Sequence, residues 1–286
     1  MDSEPDIINP TSAPMRTWRL GLAYDGTRYC GWQVQDKNRQ KTVQGELRTR
    51  LRLILHAPEL KVQGCSRTDA GVHALDQYAS FSVPTPPDLE PDWLMAKLNR
   101  WLPDDIFIKS CAIVRDGFNA RYDNYGKAYT YCISPCRRVS PMASPFVWIT
   151  PRPLDVAAMR TAAALLEGEH DFASFATNSG NPVDTTVRRL YRLQVLERDG
   201  LIFINAVGES FLYKMVRTLT GFLAHVGYGY AKPEQALSVL AACDRTHAAD
   251  SAPAKGLFLA RVFWEKEEWR GYEPVLPPFS LQALGN

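Results

Sequence analysis

The sequence predicts an α+β fold in which one order of elements, β-α-β-β-α-β, occurs twice in tandem. Three observations predict it. Strand-like and helix-like segments follow one another in the same order in both halves of the chain. Apolar residues recur at helical spacing, as at Val43, Leu47, Leu51 and Ile54. Asp199-Gly200, set between two apolar runs, is a strong hairpin signal. With 286 residues, 45% of them hydrophobic, the chain is ample for one large domain or two smaller ones.

Thr17 to Tyr24 reads as the first strand, followed by a polar loop with aromatics to Lys41. Thr42 is an N-cap residue by type, and the helix it opens runs to about His56. Leu60 to Cys65 and Gln77 to Val83 are the next strands. Pro91 opens a helix with Trp93, Leu94, Leu98 and Trp101, because proline suits a first helical turn. Ile106 to Val114 closes the first half as a strand. In the second half, Lys127 to Ser134 is a strand and Leu154 to Leu166 an Ala-rich helix. Val187 to Glu197 and Leu201 to Val207 form the hairpin. Phe211 to Val226 is a helix, Pro233 to Ala242 an inserted one, and Leu257 to Trp264 the last strand. This order is the ferredoxin-like split βαβ unit. Two in tandem predict sheets joined around a central cleft, with helices over one face. The expected divisions are a disordered polar tail over 1–14, a first half over 15–117 and a second over 118–286.

Net charge is only +2, so the overall balance favours no partner. Its distribution is uneven. Between Arg16 and Arg52 stand Arg16, Arg19, Arg28, Lys37, Arg39, Lys41, Arg48, Arg50 and Arg52, against Asp25, Asp36 and Glu46. Such segregation suits a polyanion-facing surface, and equally a solvated helix face with a charged loop. The six cysteines form no Cys-x-x-Cys pair and no zinc spacing, which fits reduced thiols in a cytoplasmic protein and no metal. No apolar stretch approaches the ~18 residues that span a membrane.

One segment, Gly64-Cys-Ser-Arg-Thr-Asp-Ala-Gly-Val-His-Ala74, gathers Arg67, Asp69 and His73 beside two glycines just after a strand. Loops placed by a rigid sheet commonly carry catalytic groups. In extended backbone Arg67 and Asp69 point the same way. A nearby arginine favours the charged form of a carboxylate, and a fixed carboxylate is a usable nucleophile or base. An Asx-type turn with an exposed ion pair accounts for the same residues, and spacing alone favours that simpler account.

Here the sequence resembles a known family. Arg67-Thr-Asp-Ala-Gly-Val-His-Ala74 is similar to the signature of the TruA family, the tRNA pseudouridine synthases of the anticodon arm. Tyr24-Asp-Gly-Thr-Arg-Tyr-Cys-Gly-Trp-Gln-Val-Gln35 resembles its first motif. Phe118-Asn-Ala-Arg121 with Lys127-Ala-Tyr-Thr-Tyr131, Phe211-Leu-Tyr-Lys-Met-Val-Arg217 and Ala252-Pro-Ala-Lys-Gly-Leu-Phe-Leu259 match three more, in family order. After Arg217 the chain reads Thr-Leu-Thr-Gly, where relatives usually carry Asn first.

The resemblance implies two ferredoxin-like halves, the first carrying the catalytic aspartate and the second completing the active site. It implies isomerisation of uridines 38 to 40 of the tRNA anticodon stem-loop, by a homodimer, without a cofactor. Asp69 falls on the catalytic aspartate, attacking C1′ of the ribose or C6 of the base. Arg217 falls on its ion-pair partner. Tyr129 falls on the active-site tyrosine, although core packing would suit Tyr131 as well. Arg67 is implied to contact RNA backbone or fill the space of a flipped base, and Leu257 to wall the uracil. His73 is expected to order the loop. Two other readings compete: an RNA-binding module without catalysis, and a nucleoside or sugar hydrolase. The latter usually needs two carboxylates, and Asp76 is a poor second.

Overall fold

The computed structural model describes residues 13–35, 40–136, 138–150, 152–178, 180, 184–275 and 277. Residues 1–12 of the expected tail, and Asp36, Lys37 and Arg39 of the basic run, lie outside the described residues. Among those described stand ten strands and five α-helices, an α+β protein. None of these helices is long and apolar enough to cross a membrane. The chain forms two compact units, Met1–Asn124 and Tyr125–Asn286. The turn after Phe118 belongs to the first: Ala120 N–H donates to Ser80 Oγ, and Arg19 lies over the Phe118 ring.

The first unit contains β1 (Met15–Tyr24), α1 (Val43–Ile54), β2 (Gln63–Gly64), β3 (His73–Pro84), α2 (Pro91–Trp101) and β4 (Ile106–Val114). The strands lie in the order β4-β1-β3-β2, each neighbour antiparallel. Period-two alternation sends Trp18, Leu20, Leu22 and Tyr24 of β1 inward. Against that core pack Val43, Leu47, Leu51 and Ile54 of α1, and Leu94 and Leu98 of α2. Each such buried side chain contributes about 1.5–3 kcal/mol relative to exposure. Thr42 caps α1, its hydroxyl accepting from Gly45 N–H.

Two strand boundaries differ from those expected. Over Leu60 to Cys65 only Gln63–Gly64 pairs as a strand. Leu60 and Val62 are buried as alternation predicts, but α1 takes their carbonyls: Arg52 Nε donates to Leu60 O and Gln44 Nε2 to Val62 O. The expected Gln77 to Val83 strand instead begins at His73. The ten residues of β1 offer partners that far, through a bulge between Leu22 and Tyr24.

The second unit contains β5 (Gly126–Ser134), β6 (Trp148–Ile149), α3 (Val156–Leu165), β7 (Gly168–Asp171), β8 (Val187–Arg198), β9 (Leu201–Gly208), α4 (Met215–Gly227), α5 (Gln235–Ala242) and β10 (Leu257–Phe263). Its order is β10-β5-β9-β8-β7, antiparallel throughout, with β6 parallel to β5. β6 and β7 were not expected. Gly168-Glu-His-Asp171 has no apolar alternation and is a strand only because it pairs with β8. The Asp199-Gly200 hairpin forms as predicted, both residues at positive φ.

The helix expected from Phe211 starts at Met215. Lys214 sits in the left-handed region (φ 60°), and Leu212 O accepts from Met215 N–H, so Phe211–Lys214 is a turn. Pro233 and Glu234 likewise precede α5 rather than belong to it. Ala128 and Phe263 on one face of β5 and β10 cluster with Val207 and Tyr272. Residues 272–275 cover that face, with Thr130 Oγ1 donating to Val275 O.

Candidate active site

The glycine-flanked loop of the first unit joins β2 to β3. Arg67 is exposed, Thr68 buried and Asp69 half-buried. Thr68 is gripped twice: its carbonyl accepts from Trp32 N–H at 3.0 Å, and its hydroxyl lies 2.7 Å from Tyr24 Oη. The turn then closes, Val72 N–H donating to Asp69 O and Gly71 N–H to Tyr29 O. Gly31 (φ 86°) explains how two loops lie backbone to backbone here. A Cβ on it would stand 2.6 Å from Thr68 O and 3.0 Å from the Asp69 carbonyl carbon, and only glycine takes that φ freely.

His73 is buried at the start of β3. Gly26 N–H and the Asp25 carboxylate both converge on its Nδ1, at 3.0 and 3.1 Å. This ties the 25–32 loop to the 64–73 loop, the ordering role expected of it. Asp76 is buried within β3, where Oδ1 accepts from Lys109 Nζ at 2.7 Å. Burial, then the neighbouring Arg121 guanidinium, pulls the pKa of Arg67 below its ordinary value.

The second unit places Tyr129, Tyr131, Arg217 and Leu257 on one side of its sheet. Tyr129 and Tyr131 are two apart on β5 and so share a face. On β10, Leu257 lies opposite Tyr131, and Leu259 opposite Tyr129. The direct neighbour of Tyr129 is thus Leu259, with Leu257 one pleat along. Arg217, in α4, is anchored to the segment before β10: Nε donates to Ala252 O at 2.8 Å, and Ala252 N–H returns a bond to Arg217 O. Burial pushes the Tyr131 phenol well up, and the Arg217 charge acts against that shift.

The two tyrosines, told apart in sequence only by motif register, differ in their settings. Tyr131 is fully buried, and its hydroxyl donates to Pro253 O at 2.6 Å. Gly256 packs so tightly on its ring that a Cβ would come within 2.6 Å. The Tyr129 ring instead meets Phe211 edge to face, centroids 5.0 Å apart. Sequence reasoning gave Phe211 no role, reading it as the first residue of a helix. The signal available was its place just past the end of β9.

Residues 22–123 and 162–265 match the family model described as tRNA pseudouridine synthase. The chain belongs to the tRNA pseudouridine synthase family. With it, the chain is an isomerase acting on tRNA uridines. Among curated relatives, the tRNA pseudouridine synthase A of Ruminiclostridium cellulolyticum is 41% identical over 252 residues, covering 87% of this chain and 100% of that one. That of Thermosipho africanus is 41% identical over 251 residues, with the same coverage of each chain. The protein of the same name from Solidesulfovibrio magneticus is 42% identical over 254 residues, covering 87% of this chain and 91% of its own.

Proposed function

We propose that the chain isomerises uridines 38, 39 and 40 of the tRNA anticodon stem-loop to pseudouridine, with Asp69 as nucleophile. The observation that carries this is the setting of Asp69. It is a half-buried carboxylate at the mouth of a turn, its chain held at Thr68 by two hydrogen bonds to buried groups. A carboxylate already fixed in place reacts with little reorganisation.

In the proposed reaction a carboxylate oxygen bonds to C1′ of the ribose or C6 of the uracil. The N1–C1′ bond breaks, the base rotates, and C5 bonds to C1′. The carboxylate is released, C5 loses its proton and N1 gains one. Product and substrate have the same atoms, so the step balances without a cofactor. Tyr129 stacks on the extruded uracil, and its hydroxyl handles the C5 proton. Leu257 contributes apolar wall. Arg67 contacts the RNA backbone or fills the vacated stack. Arg217 is the charge partner of Asp69, a role that rests on the family motif.

The same reading takes each unit as a ferredoxin-like half, supported by strand orders β4-β1-β3-β2 and β10-β5-β9-β8. It makes the protein a cytoplasmic, RNA-binding homodimer, with basic residues between Arg16 and Arg52 on the tRNA phosphates. Engagement of Asp76 by Lys109 favours isomerisation over hydrolysis, which wants a second available carboxylate.

Asp69→Asn is expected to abolish pseudouridine formation in undermodified tRNA while retaining tRNA affinity. Near-wild-type turnover in that variant overturns the nucleophile. Release of free uracil by the wild-type protein would turn the reading to a hydrolase, and binding without product to an RNA-binding module.

A further inference from the structure

We propose that Gln77, Tyr24 and Thr68 are positioning residues for Asp69, a buried relay of hydrogen bonds that sets where its carboxylate stands. The inference rests on the reading of Asp69 as nucleophile. Gln77 is fully buried in β3, and its amide bonds in four directions. Oε1 accepts from Ser66 N–H and Tyr78 N–H, each at 3.1 Å. Nε2 donates to Ser66 O at 2.8 Å and to Tyr24 Oη at 3.4 Å. That is the full capacity of a primary amide. Tyr24 Oη in turn lies 2.7 Å from Thr68 Oγ1, a hydroxyl pair in which either can donate. Burial pushes the Tyr24 phenol up to about 12, so it keeps its proton at working pH.

Apolar side chains would fill this space without the desolvation cost that polar ones carry. What the relay adds is a hold on Ser66 and Thr68, the residues on either side of Arg67. Thr68 is also the residue before Asp69. A rotation of the backbone at Thr68 swings both neighbours. Misplacing a catalytic group by about 1 Å can cost on the order of 100-fold in rate. All three side chains are buried, so loss of the relay should appear in the chemical step and not in affinity.

The test compares full-length Thr68→Val, Thr68→Ser, Tyr24→Phe, the double variant Tyr24→Phe with Thr68→Val, and Asp69→Asn. Single-turnover pseudouridine formation, tRNA binding and thermal melting are measured on each. Thr68→Val and Tyr24→Phe are expected to slow the single-turnover step about 10- to 100-fold, with tRNA Kd unchanged. The double variant should be no slower than the slower single one, because both act through one hydrogen bond. Thr68→Ser, which keeps the hydroxyl, should restore the rate.

Losses that multiply in the double variant overturn the proposal, as do full-speed single variants or an effect on Kd alone. Should Thr68→Val fail to fold, Tyr24→Phe against Thr68→Ser still decides it. An inactive Asp69→Asn beside full-speed relay variants sinks the relay only. An active Asp69→Asn sinks the nucleophile, and the relay with it.

Discussion

Asp25 does at residue scale what a sequence motif cannot display. Its carboxylate lies 3.1 Å from His73 Nδ1 and accepts from the Thr27 backbone N–H and hydroxyl. The His73 imidazole beside it, with the Thr27 hydrogen bonds adding to the effect, holds the carboxyl well below the usual carboxylate range against the opposing effect of burial. A depressed folded-state pKa contributes stability above the unfolded value of ~3.9, lost as pH falls through the folded one. Asp25→Asn should therefore be less stable than wild type at pH 7, with the gap closing as pH drops below about 4. Partial exposure screens the pair and keeps the effect modest. Urea unfolding at pH 7 and pH 3 checks it, and a gap independent of pH would rule out the charge as its source. The choice between Tyr129 and Tyr131 belongs to the same scale. Both fit the sequence pattern, and only the Pro253 carbonyl, 122 residues away in sequence, commits the Tyr131 hydroxyl to structure.

At the scale of elements, local chemistry decided the most where backbone geometry is strict. Asp199 (φ 52°) and Gly200 (φ 74°) make the two-residue turn that right-twisted strands require. A β-branched side chain at that φ is strained by about 1–3 kcal/mol. Gly200→Val should lower Tm by several degrees while leaving the rate at low temperature intact. An unchanged melt would show that the turn is not under this constraint. Thr42 and Pro91 were legible for the same kind of reason, since each satisfies or fits a helix terminus locally. β2 was not. Its alternation is real, but α1 side chains compete for its carbonyls. The bulge between Leu259 and Arg261 was also hidden. It puts Leu257 and Leu259 on the tyrosine face of β5, and Arg261 and Phe263 on the other.

For the whole molecule, the basic run divides into residues with different work. Arg16 bonds to Pro87 O, Arg28 pairs with Asp105 at 2.6 Å, Arg50 bonds to Trp101 O and Arg52 to Leu60 O. Arg48 is half-exposed on α1. Binding of tRNA should weaken steeply with salt, log K falling by about 0.7–0.9 per neutralised phosphate for each unit of log salt. Arg48→Ala should reduce that slope by about one contact, whereas Arg52→Ala should lower Tm and leave the slope alone. A flat salt response, or equal slopes in all three proteins, would remove phosphate contact from this run. The sequence by itself determined the α+β class, the turn and caps, and the family, because each is written in neighbouring residues or in motifs kept in order. Tertiary structure decided which carbonyls make strands, where β3 and α4 begin, which tyrosine is committed to packing, and which arginines are engaged within the fold. Those outcomes depend on partners far apart in the chain competing for the same hydrogen bonds, and that competition is settled only when the elements pack.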